Sequence, residues 1–286
     1  MNLETLQKLA EKSLLAQWET LLDHFQPDTT VIENWDSEAR VLFETIVQQI
    51  LHAGSLSMEQ KKHFFERINH WGDPRLRSPI DSEYWIEVIV ADAPLFVATH
   101  LVTIKEWLHF LETDYETDAH WSIKGLNWRD NRRVTWQQLA ASPDSQKYLF
   151  DNQPVVGVSW FEAEAYARCH KARLMDFFER EEIVRGPEKR RYPWGRDFKH
   201  GFANTEESGF DKPAAIGLFT TDKTPDGIFD LAGNVAEWQG DDVGDQRVMH
   251  PGCWAKDSIS TWAKASESLS PSARLAYLGF RLVRDK

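Results

Sequence analysis

The chain has 286 residues, enough for one large domain or for a medium domain with a smaller attachment. Its formal net charge of −12 argues against a nucleic-acid backbone as the main partner, because no basic field is available to replace the phosphate counterions. No run of about 18 apolar residues occurs, so we expect no membrane span, and the start lacks the pattern of a signal peptide. Two cysteines, Cys169 and Cys253, exclude a disulfide framework and favour a reduced, cytoplasmic setting.

Residues 1–76 are predicted to form a unit of three helices. In the first helix, apolar residues recur at three- and four-residue steps until Pro27, which should end it. The second should cover "SEARVLFETIVQQILHAG", and the third has a capping box formed by Ser57 and Gln60 and should end at Gly72. A unit of this size has a marginal core, so we expect it to dock on the rest of the chain, on a partner or on another copy. Its expected core residues are Leu14, Trp18, Leu21, Phe43, Ile46, Ile50, Phe64 and Phe65.

Residues 77–286 have a different residue pattern, richer in strand-forming and loop-forming residues, and are predicted to form a second domain. The stretch "YWIEVIVADAPLFVATHLVT" predicts strands around a turn at Asp92–Pro94. Three amphipathic helices should follow, each with a capping residue and a glutamate three positions later. These pairs are Thr103 and Glu106, Ser159 and Glu162, and Asp176 and Glu179. From residue 187 onward we expect ordered loops and a final strand, "LGFRLVR", and we interpret the basic cluster "EKRRYPWGR" as solvated surface. Most of the thirteen tryptophans should lie in the core.

Several segments occur in an order that carries a resemblance. They are "PVVGVSWFEAEAYARCHKARL", "YPWG", "FAN", "DGIFDLAGNVAEW", "HPGCW" and "LGFRLVR". Together they resemble the formylglycine-generating enzyme family, also called the sulfatase-modifying factor family, over about Tyr84 to Arg284. The resemblance implies an α+β fold: a formylglycine-generating-enzyme-like, C-type-lectin-like domain, here with an N-terminal helical unit.

The family wraps a structural calcium with the segment that "GIFDLAGNVAEW" matches. The resemblance implies that the ligands here are the Asp230 and Glu237 side chains and the Gly233 and Val235 carbonyls. Calcium favours six to eight oxygens that mix carboxylates and carbonyls. A second family site matches "FANTEE", with the Asn204 side chain and the Thr205 carbonyl as ligands. The alternative for Asp230 and Glu237 is turn capping and a surface carboxylate.

Formylglycine generation in this family needs two thiolates in the C-terminal stretch, which bind copper. The matching positions here are Lys256 and Thr261, and Cys253 lies at a small-residue position of the motif. We therefore expect neither copper nor formylglycine generation. Cys253 and Cys169 are expected to be buried, small hydrophobic residues.

A second branch of the family binds non-haem iron through three histidines on an added helical domain. The helical unit here contains His24, His52, His63 and His70, and Glu66 shares a helix face with His63 and His70. His63 and His70 are two turns apart, about 10 Å along the axis, which is too far to share one metal. Iron is therefore not expected.

A third kind of relative uses the C-terminal loops as a binding surface. On this hypothesis the chain is a binding module for a protein or small-molecule ligand, with Trp254, Lys256, Thr261, Trp262, Arg274 and Tyr277 as contact or loop residues. The alternative for Trp254 and Trp262 is a place in the core. The competing hypothesis is an oxidative enzyme with a rearranged site, either iron-dependent and sulfoxide-synthase-like or metal-free. The N-terminal helices would mediate docking or self-association.

Overall fold

The computed structural model describes residues 3–12, 17, 37–52, 56–142 and 149–286 of the chain. It divides into two compact units, Met1–Leu76 and Arg77–Lys286, which are described separately below. None of the helices in the described part is long and apolar enough to cross a bilayer.

The first unit is helical in all its described elements. These are α1 (Leu3–Ala10), α2 (Ser37–His52) and α3 (Met58–Trp71). Helix α3 has the predicted capping box and ends at Gly72. Phe43, Ile46, Ile50, Phe64 and Phe65 are buried, as expected, whereas Leu14, Trp18 and Leu21 lie outside the described residues.

The first helix is shorter than the sequence pattern predicts. It ends at Ala10 rather than continuing toward Pro27. The side-chain amide of Gln17 donates hydrogen bonds of 3.2 Å to the carbonyls of Ala10 and Lys12. The Ala10 carbonyl lies at the helix end, where carbonyls have no intrahelical partner, and this amide supplies one.

Two four-stranded sheets organise the second unit. The first has the order β1-β2-β8-β3 and is antiparallel throughout. The second has the order β6-β5-β4-β7, and its β4–β7 pair is parallel. The strands are β1 (Trp85–Val90), β2 (Ala93–Ala98), β3 (Arg173–Leu174), β4 (Ala236–Val243), β5 (Gln246–His250), β6 (Glu267–Leu269), β7 (Leu278–Phe280) and β8 (Leu282–Asp285).

The first hairpin turns slightly earlier than predicted. Ala91 and Asp92 form the two-residue loop, with φ of 48° and 63°, and Pro94 already lies in β2 opposite Ile89. Positive φ at both loop residues is typical of the tight turns that match the twist of a hairpin.

The predicted final strand is two strands, because the chain passes from one sheet to the other at Arg281. Strand β7 pairs with β4 in the second sheet, and β8 pairs with β2 in the first. The buried Arg281 guanidinium donates to the carbonyls of Ala98 at 3.0 Å and Phe229 at 2.6 Å. Its Nε also donates to Glu237 Oε2 of β4 at 3.1 Å, so this side chain bonds to one strand of each sheet.

The described α-helices of the second unit lie between β2 and β4 along the chain. They are α4 (Ile104–Thr113), α5 (Ile123–Asn131), α6 (Trp136–Ala140), α7 (Trp160–Cys169) and α8 (Phe177–Arg185). The three predicted capping boxes are present at α4, α7 and α8. Each box satisfies orphan backbone donors at the helix start, which is why the sequence marks those starts so clearly.

Trp107 lies at the centre of the main core. Its ring centroid is 6.2 Å from those of Tyr115, Trp136 and Tyr166, and 6.3 Å from that of Phe280. Helices α4 and α7 and strand β7 thus share one aromatic core. The expectation that most tryptophans are internal fits the described residues, in which Trp85, Trp107, Trp121, Trp136, Trp160 and Trp238 are buried.

Candidate functional site

The loop between β5 and β6 contains the positions where copper-binding thiolates would be expected. Cys253 is completely buried, and burial raises the pKa of its thiol to about 11. The ammonium of Lys256 lies 3.4 Å from the carboxylate of Glu267. Thr261 is buried and donates its hydroxyl to the Ser258 carbonyl at 2.7 Å. These three side chains present no pair of thiolates to a metal.

Trp262, on the same loop, is held in place at the surface. Its side chain is 36% exposed, and its indole N–H donates to the Tyr192 hydroxyl at 2.6 Å. The Arg191 guanidinium lies 4.3 Å from the ring centroid, a distance typical of a cation–π contact. The Ala263 amide donates to the Arg191 carbonyl at 3.0 Å. The basic cluster interpreted as solvated surface is therefore packed, in part, against the predicted contact loop.

Further aromatic residues extend this region. The rings of Tyr192 and Trp194 are stacked at 5.1 Å with an interplanar angle of 3°, and Trp194 also contacts Phe202 at 5.6 Å. Trp194 is half-buried and Arg191 is exposed. We name Arg191, Trp194 and Trp262, together with the buried Tyr192 that supports them, the aromatic surface. The sequence signal that could have revealed it is the aromatic pair inside the basic cluster.

Three other predicted contact residues, Trp254, Arg274 and Tyr277, are not part of the aromatic surface. Trp254 is partly buried against the small cluster around Leu101, and Tyr277 packs on the main core. The Arg274 guanidinium bonds to the Glu162 carboxylate at 2.5 and 3.0 Å. Arg274 also lines a cavity of about 250 Å³ together with residues of α6. The six predicted residues thus do not form one continuous exposed patch.

The predicted calcium loop is a network of buried charges. Asp230 is buried and accepts a hydrogen bond from the Gly217 amide at 2.8 Å. Asp222, which the sequence analysis missed, accepts from the Ala232 and Gly233 amides. Burial and the charge of Asp230 raise the pKa of Asp222 to about 8.

Glu237 is paired with a cation from the protein itself. Arg281 Nε donates to Glu237 Oε2 at 3.1 Å, and both side chains are buried. A second buried guanidinium, that of Arg180, also interacts electrostatically with Glu237. Charge balance at Glu237 therefore does not require calcium, and calcium binding by Asp230, Glu237 and the Gly233 and Val235 carbonyls stays a prediction.

The second predicted calcium segment contacts the first directly. The Asn204 carbonyl accepts from the Asn234 amide at 2.8 Å, and a Cβ on Gly233 would lie only 2.5 Å from that carbonyl oxygen. The Asn204 side-chain oxygen accepts from Ser208 at 3.1 Å, and the Thr205 carbonyl accepts from the Ser208 amide. These oxygens already have protein partners, so calcium at this second site also stays a prediction.

Cys169 differs from its predicted environment. It is half-buried rather than buried, because it is the last residue of α7 and is only partly covered. In the part of the chain that the structure describes, one group of three His, Cys, Asp or Glu side chains brings its ligand atoms within 4.8 Å of one another, and it consists of Asp114, His120 and Cys169.

The histidines considered for iron are only partly described. His63 is exposed on α3. His24 and the side chains of His52 and His70 lie outside the described residues. The exclusion of iron therefore stays a prediction.

Comparison with known proteins identifies the family. The model of the sulfatase-modifying factor enzyme 1-like domain matches residues 50–286, so the match begins inside α2, earlier than the predicted start near Tyr84. Hercynine oxygenase of Mycobacterium tuberculosis is 27% identical over 230 residues, which cover 68% of this chain and 54% of the relative. The inactive C-alpha-formylglycine-generating enzyme 2 of Bos taurus is 31% identical, covering 54% of this chain and 58% of the relative. The chain thus spans about half the length of these relatives.

A solved structure supports the same assignment. PvdO from Pseudomonas aeruginosa superimposes with a TM-score of 0.51 at 20% identity, covering 68% of this chain and 81% of PvdO. At that identity the likeness concerns the fold alone. Because the family model covers more than half of the sequence, the chain belongs to the sulfatase-modifying factor family and has its formylglycine-generating-enzyme-like, C-type-lectin-like α+β fold.

Proposed function

We propose that this chain is a binding module of its family and does not perform copper-dependent oxidation of cysteine. The observation that carries the proposal is the chemistry of the two thiolate positions. Lys256 is ion-paired with Glu267, and Thr261 is buried and bonded to a backbone carbonyl. A copper site of this kind needs soft sulfur ligands, and an ammonium or a hydroxyl cannot replace them.

The aromatic surface is the region that we propose for ligand contact. Tryptophan, tyrosine and arginine contribute more binding free energy at protein interfaces than other residue types. Trp262 and Arg191 are held together by the cation–π contact, and the Tyr192 hydroxyl bonds the indole. A surface whose side chains are already ordered loses less conformational entropy on binding. These features favour a protein partner.

Replacement of Trp262 tests this proposal. The full chain and its Trp262→Ala variant are compared by affinity enrichment and quantitative mass spectrometry, with Ile123→Ala as control, an apolar truncation at an 87% exposed site. We expect a partner that wild type and control retain and that Trp262→Ala loses at least about tenfold, the effect of removing a central interface aromatic. An enriched set that Trp262→Ala leaves unchanged would contradict the proposal.

The absence of formylglycine generation has a direct assay. A peptide with a Cys-x-Pro-x-Arg core is incubated with the full chain, copper and oxygen, and its mass is measured. We expect no conversion of the cysteine, because Lys256 and Thr261 supply no thiolate. Turnover of the peptide would show that the chain is an enzyme.

The second candidate is an oxidative enzyme, and the similarity to hercynine oxygenases favours it. In its iron-dependent form this candidate needs iron and an organic substrate, with ligands that could come from the helical unit. Iron analysis after anaerobic loading, combined with oxygen consumption, tests it. One iron per chain together with oxygen uptake would contradict the binding-module proposal and support this enzyme instead.

A further inference from the structure

Three metal-ligating side chains converge where helices α4 and α7 end. The ligand atoms of Asp114, His120 and Cys169 all lie within 4.8 Å of one another, and His120 Nε2 is 3.4 Å from Asp114 Oδ1. The group is unrelated to the aromatic surface and to the predicted calcium loop, with which it shares no residue.

The fold explains why these residues meet. Asp114 is the C-cap of α4, and its amide donates to the Phe110 carbonyl. His120 ends the short 3-10 turn Asp118–His120, and Cys169 is the last residue of α7. The C-terminus of a helix has partial negative charge, so two ten-residue helices that end here, together with a carboxylate, favour a cation.

The donor set has the chemistry and spacing of a zinc site. Zinc binds carboxylate oxygen, imidazole nitrogen and thiolate sulfur at about 2.0–2.3 Å in a tetrahedron, whose edges are then roughly 3.3–3.8 Å. The 3.4 Å between His120 and Asp114 already equals such an edge. The Cys169 sulfur lies within 4.8 Å of the other two ligand atoms. A side-chain rotation that moves the sulfur by about 1 Å would bring it to a tetrahedral edge distance.

Neighbouring groups support ligation. Thr113 donates its hydroxyl to Asp114 Oδ2 at 2.6 Å, which orients the carboxylate in the way that outer partners orient metal ligands. The Asp114 and His120 side chains are 39% and 22% exposed, so a metal and a water ligand can enter.

From this convergence we infer that Asp114, His120 and Cys169 bind one zinc-type divalent cation, with water as the fourth ligand. The site joins the ends of α4 and α7 and is separate from the binding function proposed above.

Cobalt titration tests the site. The full chain is freed of metal with a chelator and titrated with Co²⁺, while absorption is followed from the near ultraviolet to the visible. We expect one equivalent to produce a thiolate-to-cobalt charge-transfer band and tetrahedral ligand-field bands, and we expect Zn²⁺ to displace both. Cys169→Ser should abolish the charge-transfer band. His120→Ala and Asp114→Asn should each weaken Zn²⁺ binding at least about tenfold, because even the loss of an outer partner of a metal ligand costs about that much.

Matched changes outside the group serve as controls. Asp118→Asn and His200→Ala alter exposed residues of the same types and should leave the spectrum and the affinity unchanged. Circular dichroism verifies that each variant is folded, and if Cys169→Ser is not, the two other ligand variants decide. Absence of the charge-transfer band in wild type, its persistence in Cys169→Ser, or unchanged affinity in both His120→Ala and Asp114→Asn would overturn the inference.

Discussion

The carboxylate of Glu162 is completely buried and is held by four groups. Arg274 bonds to both of its oxygens, the Tyr115 hydroxyl donates at 2.9 Å, and the Ser159 amide and hydroxyl each donate at 2.8 Å. A buried carboxylate with so many donors depends on each of them, because the loss of its cation leaves an uncompensated charge. Arg274 therefore has a structural role, whatever it contributes to the adjoining cavity.

Arg274→Ala should destabilise the second unit strongly. We expect a loss of about 3–5 kcal/mol in the free energy of unfolding, the usual cost of removing one partner of a buried ion pair. Urea unfolding measures it. Arg168→Ala is the matched control. Arg168 pairs with Glu164 on the surface of α7, the helix that contains Glu162, and its side chain is 49% exposed. Its removal should lower the free energy of unfolding by less than about 1 kcal/mol. Equal losses in the two variants would contradict this role of Arg274.

Glu106 should make stability depend on pH. Burial raises the pKa of Glu106 from 4.5 to about 7. The folded chain then holds this proton more tightly than the unfolded chain, so the contribution of Glu106 to stability is complete below about pH 4.5 and is lost as the pH rises to about 7. A shift of this size corresponds to at most about 3 kcal/mol.

Glu106→Gln removes this titration while the glutamine still completes the capping box with Thr103. Urea unfolding at about pH 5 and about pH 8 should show a smaller decrease in stability for the variant than for wild type. Glu112→Gln, an exposed position on the same helix, should behave as wild type. If wild type and Glu106→Gln lose the same stability between these pH values, the Glu106 carboxyl group is not the source of the pH dependence.

At the scale of elements, helix starts were predictable and the second sheet was not. A capping box involves residues three positions apart, and all four that the sequence predicts are present. Strand β4 alternates poorly, contains Gly240 and has a register shift between Trp238 and Asp242. It is a strand because β5 and β7 pair with it. The local pattern of apolar residues carries no information about such long-range pairing.

The cap of α3 gives a local prediction. Ser57 Oγ accepts from the Gln60 amide at 3.2 Å. Ser57→Ala should cost about 1 kcal/mol and accelerate hydrogen exchange of that amide roughly fivefold. Ser57→Asp retains an acceptor and should exchange as wild type does. Equal protection in Ser57→Ala would show that tertiary packing, rather than the cap, fixes this helix start.

For the whole molecule, the family resemblance correctly predicted the fold, but it could not predict which distant residues meet at the surface. Arg191 and Tyr192 meet Trp262 although about 70 positions separate them in the chain. Asp114, His120 and Cys169 come from three different segments, and no motif links them. Such groupings follow from the path of long loops, which a short motif does not specify.

Calcium remains testable at this scale. If it binds at Asp230 and Glu237, removal with a chelator should lower the unfolding midpoint, because a ligand of the folded state stabilises that state. Calcium, but not magnesium, should restore it, and Asp230→Asn should remove the response. Asp226→Asn, an exposed acidic residue in the preceding turn, should keep it. A midpoint that does not change on chelation would exclude calcium.

The passage of the chain from β7 to β8 affects when the second unit can fold during synthesis. Arg281 bonds to Ala98, 183 positions earlier, and β8 supplies the inner neighbour of both β2 and β3. Until the ribosome has released residues 278–285, the β1–β2 hairpin has an unpaired edge and β4 lacks its parallel partner. Unpaired edges of this kind are templates for aggregation. We therefore expect the nascent chain to expose these edges until its last strands emerge. A premature stop at Arg281 would retain β7 in the second sheet but remove β8 from the first.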